Sequence, residues 1–370
     1  MDPDYLPAAE QLLFMDLAAG RFADAQDRAQ RQVDHAPAKS APRVMLAKAY
    51  LAQTNFPAAE QTLLKAIELE PEQRDAPWML ARIYVHENKH TAALERLNAL
   101  AARNTNDVAV WLQIADVHTA LTNYPAAART YETVLAINPK SAPALNNLAW
   151  LLAEHLGETS RALELANRAR SEMPNDPAMA DTAGWVAFRN GDYPRALGLI
   201  KESSLRLGNH PEVLFHLGMT HYMMGEEVPA RIALENAVQL APDAPWHAEA
   251  SEKLQVLALA PTGDDAALIS QLQRLSEKSP KDPLLYMRMA AALQRTGDWK
   301  QAMVMYNKAL AINEKLVRAL IELARINHYR AGDSADALEL IRRARDLDHR
   351  RDGGLVVVAR EEGRHRDDRG

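Results

Sequence analysis

His86-Glu87-Asn88-Lys89-His90 spells H-E-x-x-H. At that spacing two imidazoles one helical turn apart can hold a zinc ion, with the glutamate activating its water. The chemistry requires both rings on one face of one helix. Asn88-Lys89 has the composition of a turn, so His86 is expected to end one helix and His90 to open the next. His216 and His221 lie five apart, and His118 and His221 fall at apolar positions of the pattern described below, where a satisfied core histidine is expected. The chain has no G-x-x-x-x-G-K, G-x-G-x-x-G or G-x-S-x-G segment and no cysteine, which excludes thiolate metal sites, disulfides and a cysteine nucleophile. Charge pairs such as Glu322/Arg325 read as solvated helix faces, and Asp264-Asp265 as the start of a helix. The expectation is therefore a protein that is not an enzyme, with no catalytic residue, metal or cofactor.

Bulk composition narrows the partners. The formal net charge is −6, whereas a nucleic-acid footprint needs a basic excess, so no nucleic acid is expected. No apolar run reaches the 18 or so residues of a transmembrane segment. Met1-Asp2-Pro3-Asp4 lacks the charged-then-apolar order of a secretory leader. Two compartments stay open: the cytoplasm or, if a leader has been removed, the periplasm or cell envelope. The sequence names no partner and no oligomeric state, and the array is plausible as a fragment of a longer chain.

The chain repeats itself. Prolines fall at Pro37, Pro71, Pro139, Pro174, Pro242 and Pro280, with Thr105 and Gly208 in phase between them; successive spacings are 34, 34, 34, 35, 34, 34 and 38. Twelve residues before each of the first seven lies a small side chain: Ala25, Ala59, Ala93, Ala127, Ala162, Ala196 and Ala230. Bulky residues such as Phe56, His90, Tyr124 and Tyr193 precede these alanines by three. Before the bulky residue comes a turn, for example Thr54-Asn55, Thr122-Asn123 or Asn190-Gly191-Asp192. This predicts two helices per repeat. The alanine lets them approach, Gly or Asn supplies the left-handed residue that ends the first, and proline follows the second because it cannot continue the hydrogen-bond ladder. Ten repeats begin near residues 6, 40, 74, 108, 142, 177, 211, 245, 283 and 317. The fifth and tenth carry one extra residue in the turn, at Leu156-Gly157-Glu158 and Arg330-Ala331-Gly332. Asp16 replaces an inward apolar residue in the first, which suits a terminal cap.

A helix-turn-helix of 34 residues with W-x2-L-G-x2-Y, then Ala, then Pro resembles the tetratricopeptide repeat (TPR). Trp111, Ile114-Ala115, His118, Tyr124, Ala127, Tyr131 and Pro139 follow that pattern. So do Leu214, Leu217-Gly218, His221, Gly225, Ala230, Leu234, Ala237 and Pro242. The resemblance implies an all-α, right-handed α-solenoid of about ten repeats. The expected division is repeats one to seven over 1–242, a stretched repeat or bend over 243–282 around Pro261-Thr262-Gly263-Asp264, repeats nine and ten over 283–349, and a disordered tail over 350–370, in which Leu355-Val356-Val357-Val358 has strand character.

In that family the first helix of each repeat lines a concave groove. Its second, fifth, sixth, ninth, twelfth and thirteenth positions then face a partner. Repeats five to seven are rich there: Asn146, Asn147 and Trp150; Asp181, Trp185, Phe188 and Arg189; Phe215, His216, Met219 and Tyr222. Amides suit the backbone of an extended peptide, and aromatic faces suit its side chains or a sugar ring. The opposing reading is packing, with Trp150 and Trp185 filling gaps between first helices. Earlier repeats place Lys48, Arg82 and Asp116 at the ninth position. The family's carboxylate clamp is not matched: Asn147 fits its middle position, but Leu112, Asp116, Ala178 and Thr182 occupy the flanks. The expected function is a non-catalytic scaffold that binds a protein or peptide partner in the groove. Two alternatives stand beside it: a cell-envelope (lipo)protein assisting exopolysaccharide or protein export, and the regulatory arm of an enzyme. The envelope reading rests on Leu145–Trp150 and Asp181–Trp185, which are similar to adjacent repeats in bacterial TPR lipoproteins over about 75 residues.

Overall fold

The computed structural model describes residues 6–259 and 263–348. The expected tail over 350–370 and the centre of the expected bend, at Pro261-Thr262, lie outside the described residues. Within them the chain is all helical, with twenty α-helices and no strand. It divides into two compact units, one ending at Gly157 and the other beginning at Glu158.

The first unit contains α1 (Leu6–Ala18), α2 (Phe22–His35), α3 (Ser40–Ala52), α4 (Phe56–Leu69), α5 (Asp75–His86), α6 (His90–Arg103), α7 (Val108–Ala120), α8 (Tyr124–Ile137) and α9 (Ala142–Leu151). Consecutive helices pack as antiparallel pairs, and each pair stacks on the next. The repeat alanines make the close approach possible: Ala25, Ala59, Ala93 and Ala127 are all fully buried. Around them Leu63, Leu80, Leu97 and Ile114 form a continuous apolar core. No single pair could bury this face alone, so stability is shared between neighbours.

The second unit contains α10 (Thr159–Glu172), α11 (Pro177–Arg189), α12 (Tyr193–Leu207), α13 (Pro211–Met223), α14 (Glu227–Leu240), α15 (His247–Ala258), α16 (Asp265–Lys278), α17 (Pro283–Arg295), α18 (Trp299–Ile312), α19 (Val317–Ile326) and α20 (Ser334–Asp348). Pairing is regular for α11–α12, α13–α14, α17–α18 and α19–α20. In the stretched region α15 packs on α13 and α14, whereas α16 packs on α17, so the two do not pair as a hairpin. Arg288 of α17 seals this irregular junction. Its guanidinium donates to the carbonyls of Val256 (2.6 Å) and Leu259 (2.7 Å) at the end of α15 and pairs with Glu227 at 2.5 Å.

Local chemistry sets the helix ends. Pro37, Pro71, Pro139, Pro174, Pro242 and Pro280 each stand just beyond a second helix. Asn55, Asp107, Asp264, Asp282 and Asp298 accept backbone N–H bonds as N-caps. The left-handed turn residue is Gly20, Gly191, Gly225 or Gly297 in some repeats, but Thr54, Asn88 and Thr122 in the second to fourth. The expected Asn55 and Asn123 instead open the second helices with negative φ. The extra residue of repeats five and ten does not lengthen a loop. It is absorbed as a π-helical turn at Leu152–Leu156 and at Asn327–Ala331, each closed by a left-handed glycine, Gly157 (φ 71°) or Gly332 (φ 72°).

Candidate functional site

The H-E-x-x-H segment is split by the fold. His86 is the last residue of α5, Asn88 is left-handed (φ 58°) and His90 is the first residue of α6. The His86 ring lies against Phe56, with centroids 4.4 Å apart. His90 holds the place that Phe56 and Tyr124 hold in neighbouring repeats, at the start of the second helix. The two imidazoles therefore do not share a helical face.

The eleven groove residues expected from sequence divide between the units. In the first, Asn146, Asn147 and Trp150 are half-buried on α9. Asn147 donates to Tyr131 Oη (3.3 Å) and lies 3.5 Å from Asp116 Oδ1, while Tyr131 itself donates to Asp116 at 2.6 Å. Burial pushes both the Asp116 carboxyl and the Tyr131 hydroxyl up from their ordinary values. Asn146 donates to Asn147 Oδ1 at 3.3 Å. Trp150 meets His155 edge-on at 5.0 Å, and His155 stacks on Tyr124 at 3.7 Å.

In the second unit the aromatic residues pack on one another. Trp185 is only 4% exposed. It stacks on Phe188 (4.6 Å) and on His216 (4.1 Å), and Phe215 tilts against it at 5.6 Å. Trp246 then stacks on Phe215 at 4.8 Å. The His216 ring is fixed by Asp181, with Nδ1 2.9 Å from Oδ2. Met219 and Tyr222 are also buried, and Tyr222 donates to Asp282 at 2.9 Å, an acid that also pairs with Lys253. Trp185, Phe215, His216, Met219 and Tyr222 thus present little surface to a partner, and the geometry gives them a packing role. The physical reason is mutual coverage by large side chains from successive helices. Phe188 and Asp181 remain half-buried and Arg189 is exposed.

An open aromatic surface occurs instead at the other end of the sequence. A cavity of about 890 Å³ in the first unit is lined by residues of α1, α3, α4, α5 and α7, among them Phe14, Lys48, Phe56, Trp78, Arg82 and His86. Phe14 is 61% exposed. Lys48 and Trp78 are half-buried and Arg82 is exposed. Lys48 Nζ stands 5.7 Å from the Phe14 ring centroid, and the Arg74 guanidinium lies 4.9 Å from that of Trp78. Arg74 is also held by Asp107 at 2.7 Å. Phe14, Lys48 and Arg82 share the ninth repeat position, and Trp78 and Met79 take the fifth and sixth. Sequence reasoning had noted the charges but passed over Trp78; its groove-facing register was the signal available. Asp16, expected to mark a terminal cap, is buried in the first repeat. It is 5% exposed and gripped by Arg21 (2.7 Å) and Arg28 (3.1 Å), which hold its carboxyl below the usual carboxylate value.

One tetratricopeptide repeat model matches residues 44–108 and 182–245, and another matches 118–184. The chain is 36% identical over 85 residues to a TPR repeat-containing protein of Pseudomonas aeruginosa, covering 23% of this chain and 14% of that protein. It is 30% identical over 177 residues to cellulose synthase 2 operon protein C of Komagataeibacter xylinus, covering 47% of this chain and 13% of that protein. The chain therefore spans only a small part of the length of these relatives. Among solved structures it is similar to a tetratricopeptide repeat protein of Parabacteroides merdae, at 14% identity and a TM-score of 0.48, over 82% of this chain and 98% of that one. It is also similar to pilF of Pseudomonas aeruginosa, at 17% identity and a TM-score of 0.49, over 62% and 99%.

Proposed function

The chain belongs to the tetratricopeptide repeat family, and on that premise we propose that it is a non-catalytic scaffold whose first unit holds a polypeptide partner in the cavity beside Trp78. The observation that carries this reading is the open, aromatic-lined cavity itself. A packed solenoid needs no exposed Phe14 or partly exposed Trp78 for its own stability, and surface of that kind marks an interaction site. Asn146, Asn147 and Trp150 hold the equivalent register on α9 in the same unit and extend the proposed surface. In the second unit Asp181, Phe188 and Arg189 are the members of the set expected from sequence that are not buried.

A tiled peptide array probed with wild-type protein and with Trp78→Ala tests the proposal. Loss of most bound spots, with the far-UV circular dichroism unchanged, is the expected result. Identical patterns from the two proteins would refute it. The name of the Komagataeibacter relative supports a second reading, assistance to exopolysaccharide export at the cell envelope. Aromatic faces also stack on sugars, so a calorimetric titration with cello-oligosaccharides separates the two. Heat that depends on Trp78 favours the polysaccharide, and its absence leaves the polypeptide.

A further inference from the structure

The cavity beside Trp78 carries an excess of positive charge. Its charged lining consists of Lys48, Arg74 and Arg82 against Asp75. Arg74 is already committed to Asp107. Lys48 has only a loose neighbour, Glu10 at 3.9 Å, and Arg82 has no ion pair among the described residues. Two cations are therefore available above an apolar floor made by Trp78, Phe56 and Leu51. Both occupy the ninth position of successive first helices. Successive side chains of an extended segment point to opposite faces, so residues i, i+2 and i+4 of such a segment face the cavity together.

Resting on the scaffold reading above, we propose that this cavity takes an extended acidic segment, with carboxylates on Lys48 and Arg82 and an apolar side chain of the same face between them on Trp78 and Phe56. The occupant is a stretch of a partner protein in which acidic, apolar and acidic residues alternate with solvent-facing ones. Charge complementarity selects it, because a basic or neutral segment would leave the two cations without partners while gaining the same apolar contact. Phe14, at the same position one repeat before Lys48 and 61% exposed, adds an aromatic contact at that end of the cavity.

The test uses three short fluorescein-labelled peptides. One has glutamates two residues either side of a phenylalanine, one has lysines for the glutamates, and one has serine for the phenylalanine. Fluorescence polarisation is read with the full chain at low and high salt. The glutamate peptide should bind best, and each of Lys48→Glu and Arg82→Glu should weaken it about tenfold at low salt, with less effect at high salt. The lysine peptide should bind the doubly reversed protein and not the wild type. Both residues are solvent-accessible, so the reversals leave the helical circular dichroism in place as a folding control. Equal binding of the glutamate and lysine peptides to wild type, still dependent on Trp78, would overturn the charge inference and leave the scaffold reading standing. Binding of none of the three, or binding indifferent to Trp78→Ala, would overturn both.

Discussion

Thr122 is a β-branched residue in a left-handed conformation, with φ of 55°. For an L-residue that region costs roughly 1–2 kcal/mol, and branching at Cβ puts threonine towards the upper end. Glycine removes the steric term but restores about 0.5–1 kcal/mol of chain entropy to the unfolded state. The side chain is exposed, so no buried contact is lost. Thr122→Gly should therefore stabilise the first unit by about 0.5–1 kcal/mol. Thr54, at φ 56°, should behave alike but gain less, because its Oγ1 donates to the Gln53 carbonyl at 2.7 Å. The two turns are distant enough for the gains to add. Asn88 tolerates the same conformation, so Asn88→Gly should shift stability by only a few tenths of a kcal/mol. Thr133, inside α8, is the opposite control: Thr133→Gly should lose roughly 0.5 kcal/mol through helix propensity alone. Urea unfolding followed by circular dichroism, with amide exchange in α7 and α8 as the local readout, measures all four. A Thr122→Gly protein no more stable than wild type, or a gain no larger than that of Asn88→Gly, would show that the turn stores no strain.

Trp185→Ala should cost about 3–5 kcal/mol in urea unfolding because the ring is buried among three others; a loss below 1 kcal/mol, with a partner released, would restore its groove role. Gly218 separates α13 from α14: a Cβ there would stand 2.6 Å from Leu234 Cγ and 3.0 Å from its backbone nitrogen. The overpacking cost of about 1–3 kcal/mol should outweigh the roughly 1 kcal/mol gained in helix propensity, so Gly218→Ala lowers stability. Gly198→Ala, with open space around the added carbon, should raise it. Arg21 first, and Arg28 with it, hold the Asp16 carboxyl below its ordinary value. That contribution is complete above about pH 4 and is lost as pH falls through the lowered folded pKa. Asp16→Asn should thus be less stable at neutral pH, with the gap to wild type closing under acid; a gap independent of pH would contradict the pairing.

Much of the fold was written in the repeat. The alanine column, the prolines and the bulky residue opening each second helix are short-range signals, and one register satisfies them all. What the repeat could not convey was how departures from it are absorbed. The extra residue near Gly157 and near Gly332 looked like a longer turn, yet a π-helical turn accommodates it without lengthening the loop. A turn such as Thr54-Asn55 hides which residue goes left-handed. Asn55 is worth more as the cap that accepts the Ala58 N–H, so the strain falls on Thr54. Around 243–282 the spacing announced an irregularity but not its form. That form depends on Arg288, some thirty residues further along, capping the end of α15.

The same limit explains the groove residues. The ninth position of a repeat carries Phe14, Lys48, Arg82, Asp116, Trp150, Trp185 and Met219 in turn, and the register treats them as equivalent. For Trp185 and Arg82 the exposure follows the fifth and sixth residues of the next repeat. After Trp185 these are Phe215 and His216, both large and flat, and they close over the indole. After Arg82 they are Leu112 and Gln113, which are half-buried and leave the guanidinium in solvent. Trp185 is therefore core because the next repeat supplies aromatics at those two positions. The cluster of aromatics that made repeats six and seven look like a binding site is what buries them. The sparser first unit, with isolated aromatics among cations, keeps its surface open.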